Sequence, residues 1–337
     1  MSLKIIDCTL REGSNVINFQ FGRKLTINIL KGLESAGVQW IEMGHGYGLS
    51  ATSKCNFPAL LSDEEYMDLA KSCLKVAKYG FHFNLKYSEK KDIKISARKG
   101  VHFLRIGTEI DRVNEIKEYI NLAKENGLLV FVSLRKIYAI SGFREYVKIL
   151  KKLENWGADL IILLDSAGYM MPKDVKKIIN LGKTAIETSL GFHAHNNLQL
   201  GIANTITAIE SGVDSVDACV GGIGRSSGNI PIEILSIILE KYHWETSLDY
   251  KKLSDLKDKY IFPLIKGKNR FSSKNLLSGL TGFHSGYFPL INKAIKKYPH
   301  IDYRDLIIAI SKKEKINVTE NVVESTIKKL LKKHKSQ

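Results

Sequence analysis

Eight short apolar runs rich in β-branched residues recur along the chain, and segments with helical periodicity lie between them. The runs begin at Leu3, Val38, Gly80, Val101, Leu128, Asp159, Ser189 and Asp214. Strands that alternate with helices predict βαβ units and a parallel sheet. Runs such as IILLD and LVFVSL are continuous rather than alternating, as expected of strands that are buried on both faces.

Eight such units before about residue 245 match a (β/α)8 TIM barrel, for which ~250 residues are typical. The rival is a doubly wound open sheet, but no GxGxxG follows the first run, so a Rossmann site is unsupported. We therefore predict an α/β fold with a catalytic barrel over residues 1–245. A helical C-terminal domain over 246–337 is predicted to pack on it, because only helical patterns follow: Leu253–Ile265, Tyr287–Lys297, Tyr303–Lys313 and Val322–His334.

Composition excludes several classes of protein. The 337 residues are 44% apolar and 26% charged, which is typical of a folded globular chain and not of a disordered one. The four cysteines have no metal-binding or disulfide spacing, which favours a reducing compartment. The first ten residues lack a secretory pattern, and no run approaches the ~18 apolar residues of a membrane span. We expect a cytoplasmic protein without a membrane partner.

The net charge of +16 raises the question of a nucleic-acid partner. From Lys251 to Gln337 there are 20 Lys and Arg against 7 Asp and Glu, so +13 of this charge lies in the helical C-terminal region. The basic residues are not interleaved with stacking aromatic residues, as single-strand binding surfaces require. We expect no nucleic-acid partner, and a basic binding protein on a degenerate barrel is the weakest of three hypotheses.

Polar residues follow the apolar runs on their C-terminal side, which is the catalytic face of a barrel. His193 and His195 are two apart in a strand-like run, so their side chains point to the same face. Such a pair can bind one metal ion, with Glu12 after the first run as a third ligand. Arg11 precedes Glu12 and could hold a carboxylate in bidentate fashion, although a structural ion pair with its neighbour is the simpler reading.

Four motifs in order resemble the pyruvate-using, metal-dependent lyase and synthase superfamily. They are DCTLREG from Asp7, DSAG from Asp165, GFHAHNNLQLGIAN from Gly191 and GGIGRSSGN from Gly221. Members include 4-hydroxy-2-oxovalerate aldolase, hydroxymethylglutaryl-CoA lyase, isopropylmalate synthase and homocitrate synthase. The aldolase branch is the most similar, since IEMGHGYGLSATS from Ile41 and SGLTGFHSGYF from Ser278 also resemble its segments.

This resemblance implies a (β/α)8 barrel with a divalent metal, usually manganese or magnesium, with zinc and cobalt left open. The implied metal ligands are Glu12, His193 and His195, with Asn229 as a candidate fourth, as in the lyase branch. The aldolases have Asp where this chain has Glu12, whereas homocitrate synthases have Glu. The resemblance further implies that Arg11 binds the pyruvate carboxylate and stabilises the enolate oxygen, and that Ser166 hydrogen-bonds the oxo acid.

The chain departs from the aldolases at the catalytic base. Their histidine corresponds to Asn15, and an amide is not a useful proton acceptor near neutral pH. We expect Asn15 to contact substrate, as the Gln of the synthases would. The candidate substitutes for the base are His45 and His284. For each, a structural role is the simpler reading: a hydrogen bond near the metal for His45, and packing in a loop for His284.

Two arginines are predicted at the mouth of the site. Arg105 and Arg135 end the fourth and fifth predicted strands, where they could bind an acidic or phosphorylated acceptor. Salt bridges to carboxylates at the top of the barrel are an equally good reading of both. Arg105 is the one that we assign to substrate binding.

The leading hypothesis is therefore a divalent-metal aldolase that makes or cleaves a C–C bond between pyruvate enolate and an aldehyde. The alternative is a Claisen-type acyl-CoA synthase or lyase that acts on a 2-oxo acid, which Glu12 and Asn15 favour and the absence of a GxGGCP loop disfavours. The resemblance also implies an aldehyde dehydrogenase as a candidate partner. A homo-oligomer, most simply a dimer, is expected.

Overall fold

Eight parallel strands close into one barrel in chain order, and the eighth strand pairs with the first. The computed structural model describes residues 3–268, 270 and 272–335. Six residues of the predicted domains therefore lie outside it: Met1, Ser2, Asn269, Phe271, Ser336 and Gln337. The predicted (β/α)8 barrel with a helical C-terminal region is confirmed. The strands are β1 (Lys4–Asp7), β2 (Trp40–Met43), β3 (Lys78–Asn84), β4 (Phe103–Glu109), β5 (Leu129–Arg135), β6 (Leu160–Asp165), β7 (Ser189–Ala194) and β8 (Ser215–Ala218).

Helices surround the barrel, and most of them bury one apolar face against it. In the stretch Phe143–Asn155, for example, Tyr146, Ile149, Leu150 and Leu153 are buried at helical spacing. Burial of each such side chain stabilises the fold by about 1.5–3 kcal/mol. The helices of this layer are α1 (Thr9–Glu12), α2 (Arg23–Ser35), α3 (Ala51–Lys54), α4 (Asp63–Cys73), α5 (Lys90–Lys99), α6 (Lys117–Glu125), α7 (Phe143–Asn155), α8 (Pro172–Ala185), α9 (Gly201–Glu210) and α10 (Ile232–Lys241).

Three helices did not follow from the apolar pattern, of which the four-residue α3 is the shortest. Helix α5 reads KKDIKISARK, and its only buried apolar side chain is Ile93, so its periodicity is weak in the sequence. A helix over Ser273–Thr281 is short and rich in polar residues. The stretch after β1 also differs from expectation, because Arg11 and Glu12 lie on the single helical turn α1 rather than on the strand.

The C-terminal region consists of helices joined by short turns. They are α11 (Tyr250–Leu256), α12 (Phe262–Ile265), α13 (Ser273–Thr281), α14 (Phe288–Lys297), α15 (Tyr303–Lys313) and α16 (Glu320–Lys335), with a π-helical stretch at Lys257–Ile261 between α11 and α12. Leu253, Leu256 and Ile261 belong to the apolar core of the barrel. A second apolar core begins at Leu277. The predicted domain boundary at 245/246 stays a prediction. The two apolar cores meet later in the chain, since Ile261 belongs to the first core and Leu277 to the second.

The helical region reaches the face of the barrel where the strands end. A 3-10 turn at Ser285–Tyr287, capped by the His284 side chain, connects α13 to α14. Within the described part of the chain, no helix is both long and apolar enough to span a membrane.

Candidate active site

A cavity of about 540 Å³ opens at the C-terminal ends of the strands, and residues of both the barrel and the helical region line it. Its volume lies in the ~300–1,000 Å³ range of small-molecule sites. Of the predicted site residues, five line this cavity: Arg11, Glu12, Ser166, His195 and His284. The face of the barrel that the sequence indicated therefore carries a cavity suited to a small substrate.

Glu12, His193 and His195 lie together at this face. Each offers a ligand atom, and these atoms are all within 4.8 Å of one another. All three side chains are buried. Burial, followed by the charges of His193 and Arg225, holds the pKa of His195 well below its usual range, so this imidazole is neutral. Neutral imidazoles and a carboxylate are the donor set of many divalent transition-metal sites.

The hydrogen bonds of these residues leave ligand atoms free. Oε2 of Glu12, Nε2 of His193 and Nδ1 of His195 are buried and have no hydrogen-bond partner in the described part of the chain. Buried polar atoms without partners are costly, so a cluster of them indicates a group that these atoms bind. The donor set and the free atoms fit a divalent metal.

Asp217 supports the cluster from below. Its Oδ2 lies 2.8 Å from Nδ1 of His193, which leaves Nε2 of that ring for a ligand. The same carboxylate accepts hydrogen bonds from both terminal nitrogens of Arg105, at 2.5 and 2.8 Å. Despite burial, the Arg105 guanidinium and the bond to His193 hold the pKa of Asp217 far below its usual range. The Arg105 guanidinium therefore favours the ionised form of Asp217, which orients the His193 ring.

This arrangement corrects the expectation for Arg105. Its side chain is completely buried and does not line the cavity. Strand β4 continues to Glu109, so Arg105 is the third of its seven residues and points into the barrel interior rather than to its mouth. Its partners there are Asp217 and Glu42, which is the salt-bridge reading of this residue.

Glu42 on β2 connects the interior charges to the cavity. It accepts a hydrogen bond from Arg11 at 2.8 Å and lies 3.4 Å from Arg105. Although burial opposes its ionisation, these two guanidiniums and His82 lower the pKa of Glu42 to about 2. Arg11 also pairs with Glu12. Two carboxylates therefore fix the Arg11 side chain where it lines the cavity.

A second group of potential metal ligands lies deeper, formed by Cys8, His193 and Asp217. Burial, together with the Asp217 and Glu42 charges, raises the pKa of the Cys8 thiol well above its usual range. The thiol donates a hydrogen bond to Glu42 at 3.2 Å. The Cys8 thiol is already bonded to Glu42 and the Asp217 carboxylate to Arg105, so this group supports the upper cluster through hydrogen bonds.

Asn229 and Ser166 each keep one polar group that no described residue binds. The Asn229 amide group donates hydrogen bonds to Cys219 and to the Ile223 carbonyl, which leaves its buried Oδ1 without a partner among the described residues. Ser166 follows β6 and accepts a hydrogen bond from the Lys136 amide at 3.0 Å, so its hydroxyl hydrogen is available to a ligand in the cavity.

Asn15 differs from the expectation that it contacts substrate. Its amide nitrogen donates to the Glu12 carbonyl at 3.0 Å, and its Oδ1 accepts from Arg225 at 3.1 Å. It does not line the main cavity. Asn15 lies in a 3-10 turn after α1, where its amide nitrogen and its amide oxygen are both hydrogen-bonded to protein groups. Its role in this structure is to hold the Arg225 guanidinium.

His45 also differs from its expected role. Its Nε2 lies 2.9 Å from the Phe57 carbonyl, and its Nδ1 accepts from the Tyr47 amide. The ring stacks on Phe19 with centroids 4.0 Å apart. Burial lowers its pKa, and these bonds fix a neutral ring without a free nitrogen. The structure therefore places His45 as a loop support and not as a base.

His284 does line the cavity. Its Nδ1 accepts a hydrogen bond from the Gly286 amide at 3.1 Å, so in the neutral ring the proton is on Nε2. Burial, followed by the charges of Arg225 and Lys136, holds its pKa well below the usual range. In this conformation His284 is suited to donate a hydrogen bond rather than to accept a proton.

The sequence analysis missed His82 on β3. Its Nδ1 lies 3.7 Å from Oε1 of Glu42, and the ring lines the cavity. Gly107 on β4 makes room for it, because a Cβ there would lie 2.6 Å from Cε1 of the ring. Burial and the Arg11 charge hold the pKa of His82 below its usual range, against the effect of Glu42. Between Phe81 and Phe83, His82 looks like a core residue in the sequence. The available signal is that side chains alternate along a strand, so His82 points to the opposite face from its two neighbours.

The structure adds Arg225 to the cationic residues of the cavity, beside Arg135, which the sequence had already indicated. Arg225 of the GGIGRSSGN segment and Arg135 at the end of β5 both line it. Arg225 lies over the Tyr47 ring, with its Cζ 5.7 Å from the ring centroid. Arg225 comes 210 residues after Asn15, its hydrogen-bond partner, so no local sequence pattern predicts this contact.

The sequence is similar to known aldolases over almost its whole length. It is 31% identical over 333 residues to the 4-hydroxy-2-oxovalerate aldolase of Carboxydothermus hydrogenoformans, covering 99% of this chain and 98% of that protein. It is 32% identical to 4-hydroxy-2-oxovalerate aldolase 2 of Comamonas testosteroni, covering 97% and 95% of the two chains. The HMGL-like family model matches residues 2–259.

Solved structures share the fold. The N-terminal domain of a Bacteroides vulgatus protein superimposes with a TM-score of 0.74 at 25% identity, over 90% of this chain and 99% of that one. The carboxyl transferase domain of Rhizobium etli pyruvate carboxylase gives a TM-score of 0.79 at 15% identity, over 98% of this chain and 61% of that one. At such identity the second likeness concerns the fold alone.

The barrel, the cluster of free ligand atoms and the buried arginine beside it define a metal-dependent (β/α)8 enzyme. The chain belongs to the HMGL-like family. Within that family it is an aldolase-like member, and thus a lyase.

Proposed function

We propose that this enzyme is a divalent-metal-dependent aldolase that makes or cleaves the C–C bond between pyruvate, as its enolate, and an aldehyde. The observation that carries the proposal is the cluster of Glu12, His193 and His195, whose ligand atoms lie within 4.8 Å of one another beside the cavity. The names of the relatives, 4-hydroxy-2-oxovalerate aldolases, support the same substrate class. Manganese or magnesium is the proposed metal.

The metal would be held by Glu12, His193 and His195, with Asn229 Oδ1 as a candidate fourth ligand. When bound, a divalent ion supplies a Lewis acid that withdraws charge from a 2-oxo acid. Arg11 supplies a second cation, because Glu12 and Glu42 orient its guanidinium and its buried Nε has no hydrogen-bond partner among the described residues. We assign Arg11 to the pyruvate carboxylate and the enolate oxygen, where a fixed cation stabilises developing charge.

The proton on the 4-hydroxyl of the substrate needs a base, and His82 is the candidate that the geometry favours. A proton on Nδ1 would point towards the Glu42 carboxylate, 3.7 Å away, which leaves Nε2 as an acceptor in the cavity. Such contacts often shorten when substrate binds. His284, with its Nε2 proton, is assigned to hydrogen-bond the aldehyde oxygen, and Ser166 to hydrogen-bond the oxo acid.

The test is release of pyruvate from 4-hydroxy-2-oxo acids in the presence of Mn²⁺. EDTA and Glu12→Ala should each abolish turnover, whereas the exposed Glu210→Ala, on the outer helix α9, serves as a matched control. Complete insensitivity to both EDTA and Glu12→Ala would contradict the proposal. Free thiol released from acetyl-CoA in the presence of a 2-oxo acid would favour the Claisen alternative, which the aldolase names of the relatives do not favour.

An aldehyde dehydrogenase partner, a homodimer and substrate-binding by Asn15 or Arg105 stay predictions from the resemblance. For the two residues, the structure supports indirect roles: Asn15 holds Arg225, and Arg105 holds Asp217. Size-exclusion chromatography with light scattering would determine the oligomeric state. Co-purification with a candidate dehydrogenase would test the partner.

A further inference from the structure

The cavity holds more positive charge than pyruvate requires. Two carboxylates line it, those of Glu12 and Glu109, and Glu12 is assigned to the metal. Five cationic side chains line it as well: Arg11, Lys54, Lys86, Arg135 and Arg225. Pyruvate carries one negative charge, and Arg11 is assigned to it. Glu42 pairs with Arg11 and Glu89 pairs with Lys54 from outside the cavity lining, so the remaining excess lies on Lys86, Arg135 and Arg225.

Arg225 is the least compensated of the three arginines that line the cavity. Its protein contacts are a neutral amide oxygen, Oδ1 of Asn15 at 3.1 Å, and the face of Tyr47. No carboxylate pairs with it among the residues that the structure describes. Only one terminal nitrogen of Arg225 donates to Asn15, so the guanidinium keeps further N–H groups for a ligand. A guanidinium held by a neutral partner at a cavity wall is suited to bind an anion.

Arg135 has a carboxylate neighbour, but it shares that neighbour. Its Nε lies 3.3 Å from Oε1 of Glu109, whose other oxygen lies 3.3 Å from Nζ of Lys136. Two cations thus divide one negative charge. The contact with Glu109 involves the Nε edge, so the two terminal nitrogens of Arg135 are left for a ligand in the cavity.

Arg11, Arg135 and Arg225 line one cavity, so their like charges repel one another there and a bound anion would relieve that repulsion. The pKa directions agree with this. Burial lowers the pKa of Arg135, and the charges of Arg225 and Arg11 lower it further, against the effect of Glu109. Burial likewise lowers the pKa of Arg225, and Arg11 adds to the effect.

We propose that the aldehyde acceptor carries an anionic group, a phosphate or a carboxylate, at the end remote from its carbonyl, and that Arg135 and Arg225 bind that group. This inference rests on the proposed aldolase function and adds the substrate class. In the synthetic direction, C3 of pyruvate loses a proton and attacks the aldehyde carbon. The carbonyl electron pair passes to oxygen, which takes up a proton, so no oxidant or reductant is needed. The anionic group takes no part in this step and positions the aldehyde.

The experiment compares matched pairs of acceptors with pyruvate and Mn²⁺. Glycolaldehyde is paired with glycolaldehyde phosphate, and butanal with succinic semialdehyde. We expect kcat/KM for at least one anionic member to exceed that of its neutral partner at least tenfold. The first pair reports on phosphate and the second on carboxylate, so the preferred anion follows from which ratio is larger. Equal or higher kcat/KM for both neutral members would overturn the proposal.

Variants then assign the effect to the two arginines. Arg135→Gln and Arg225→Gln should each lower the ratio of anionic to neutral kcat/KM about tenfold, since a charge-assisted contact is lost. Arg225→Lys should restore part of the ratio, because it keeps the charge without the fork. The control is Arg112→Gln, an exposed arginine that pairs with Glu115 outside the cavity, which should leave the ratio unchanged. Ratios that stay the same in both cavity variants would contradict the assignment.

A separate assay distinguishes failure of this inference from failure of the proposed function. Exchange of the pyruvate methyl protons for deuterium with Mn²⁺ requires enolate formation but no acceptor. Exchange without a preference for anionic aldehydes would overturn the inference alone. If exchange and turnover are both absent, the aldolase function itself is wrong. If either arginine variant mainly raises KM for pyruvate, that arginine binds pyruvate and not the acceptor.

Discussion

The Asp217 carboxylate lies 2.8 Å from Nδ1 of His193 and shares its charge with the buried guanidinium of Arg105. These two contacts of Asp217 have two consequences. The hydrogen bond fixes which nitrogen of His193 is free for a ligand, and the ion pair compensates an arginine that has no access to solvent. Asp217 therefore couples the stability of the barrel to the geometry of the candidate metal site.

Asp217→Asn tests this coupling. An amide can still contact Nδ1, but it orients the ring less strongly, so we expect Mn²⁺ affinity to fall about 10–100-fold. The variant also leaves Arg105 with only Glu42, so stability should decrease by about 3–5 kcal/mol. Calorimetric metal titration and urea unfolding would measure the two effects. The exposed Asp258→Asn is the control for both, and unchanged Mn²⁺ affinity in folded Asp217→Asn protein would refute the coupling.

His82→Gln tests the assignment of the base. If His82 accepts the 4-hydroxyl proton, kcat for cleavage should fall about 10²–10⁴-fold, with a smaller change in KM. The acid limb of the kcat–pH profile that reports this imidazole should also disappear. His45→Gln is the matched control, because His45 does not itself line the cavity and both of its ring nitrogens are bonded to backbone groups. A larger loss of kcat in the His45 variant than in the His82 variant would reverse the assignment.

Gly107→Ala provides a second and milder test of His82. The added methyl group would lie 2.6 Å from the ring, so the ring or the strand must shift. We expect kcat to fall while Mn²⁺ affinity changes little, because the metal ligands lie on other elements. Steady-state kinetics beside metal titration would separate the two. A variant with full kcat would show that the position of the His82 ring is unimportant.

The lowered pKa of Glu42 predicts that the free energy of unfolding depends on pH in the acid range. Its pKa is lowered from 4.5 to about 2, so its ion pairs contribute fully above about pH 4.5. That contribution is lost as pH falls through 2, and 2.5 pKa units correspond to at most about 3 kcal/mol. The stability difference between wild type and Glu42→Gln should therefore narrow between pH 5 and 2. Urea unfolding over this range would measure it, with the exposed Glu210→Gln as a control whose difference stays flat.

Lys136 joins the barrel to the helical region. Its Nζ donates to the Ile316 carbonyl at 2.6 Å and to the Tyr287 hydroxyl at 2.7 Å. Lys136→Met should weaken this contact by about 1.5–3 kcal/mol and loosen the turn that follows His284. Amide hydrogen exchange of residues 284–290 should become faster, with the exposed Lys90→Met as a control. Unchanged exchange in that segment would contradict the role of Lys136.

The fold and the site could be predicted best where the sequence signal is local. Alternating strand and helix patterns predicted the barrel, and adjacent residues predicted Arg11, Glu12 and the histidine pair as one site. Prediction was least successful where side-chain direction or distant pairing decides. Arg105 was placed at the mouth because its strand was expected to end earlier, whereas β4 continues to Glu109. The bond between Asn15 and Arg225 joins segments that only barrel closure brings together.

The most direct test of the central claim is deuterium exchange of the pyruvate methyl group, followed by NMR in D₂O, because enolate formation needs no acceptor. With Mn²⁺, the wild-type enzyme should exchange these protons, and exchange should stop with EDTA and fall at least 10²-fold in Glu12→Ala. Exchange that is the same with EDTA, without added metal and in Glu12→Ala would contradict a metal-dependent enolate at Glu12, His193 and His195.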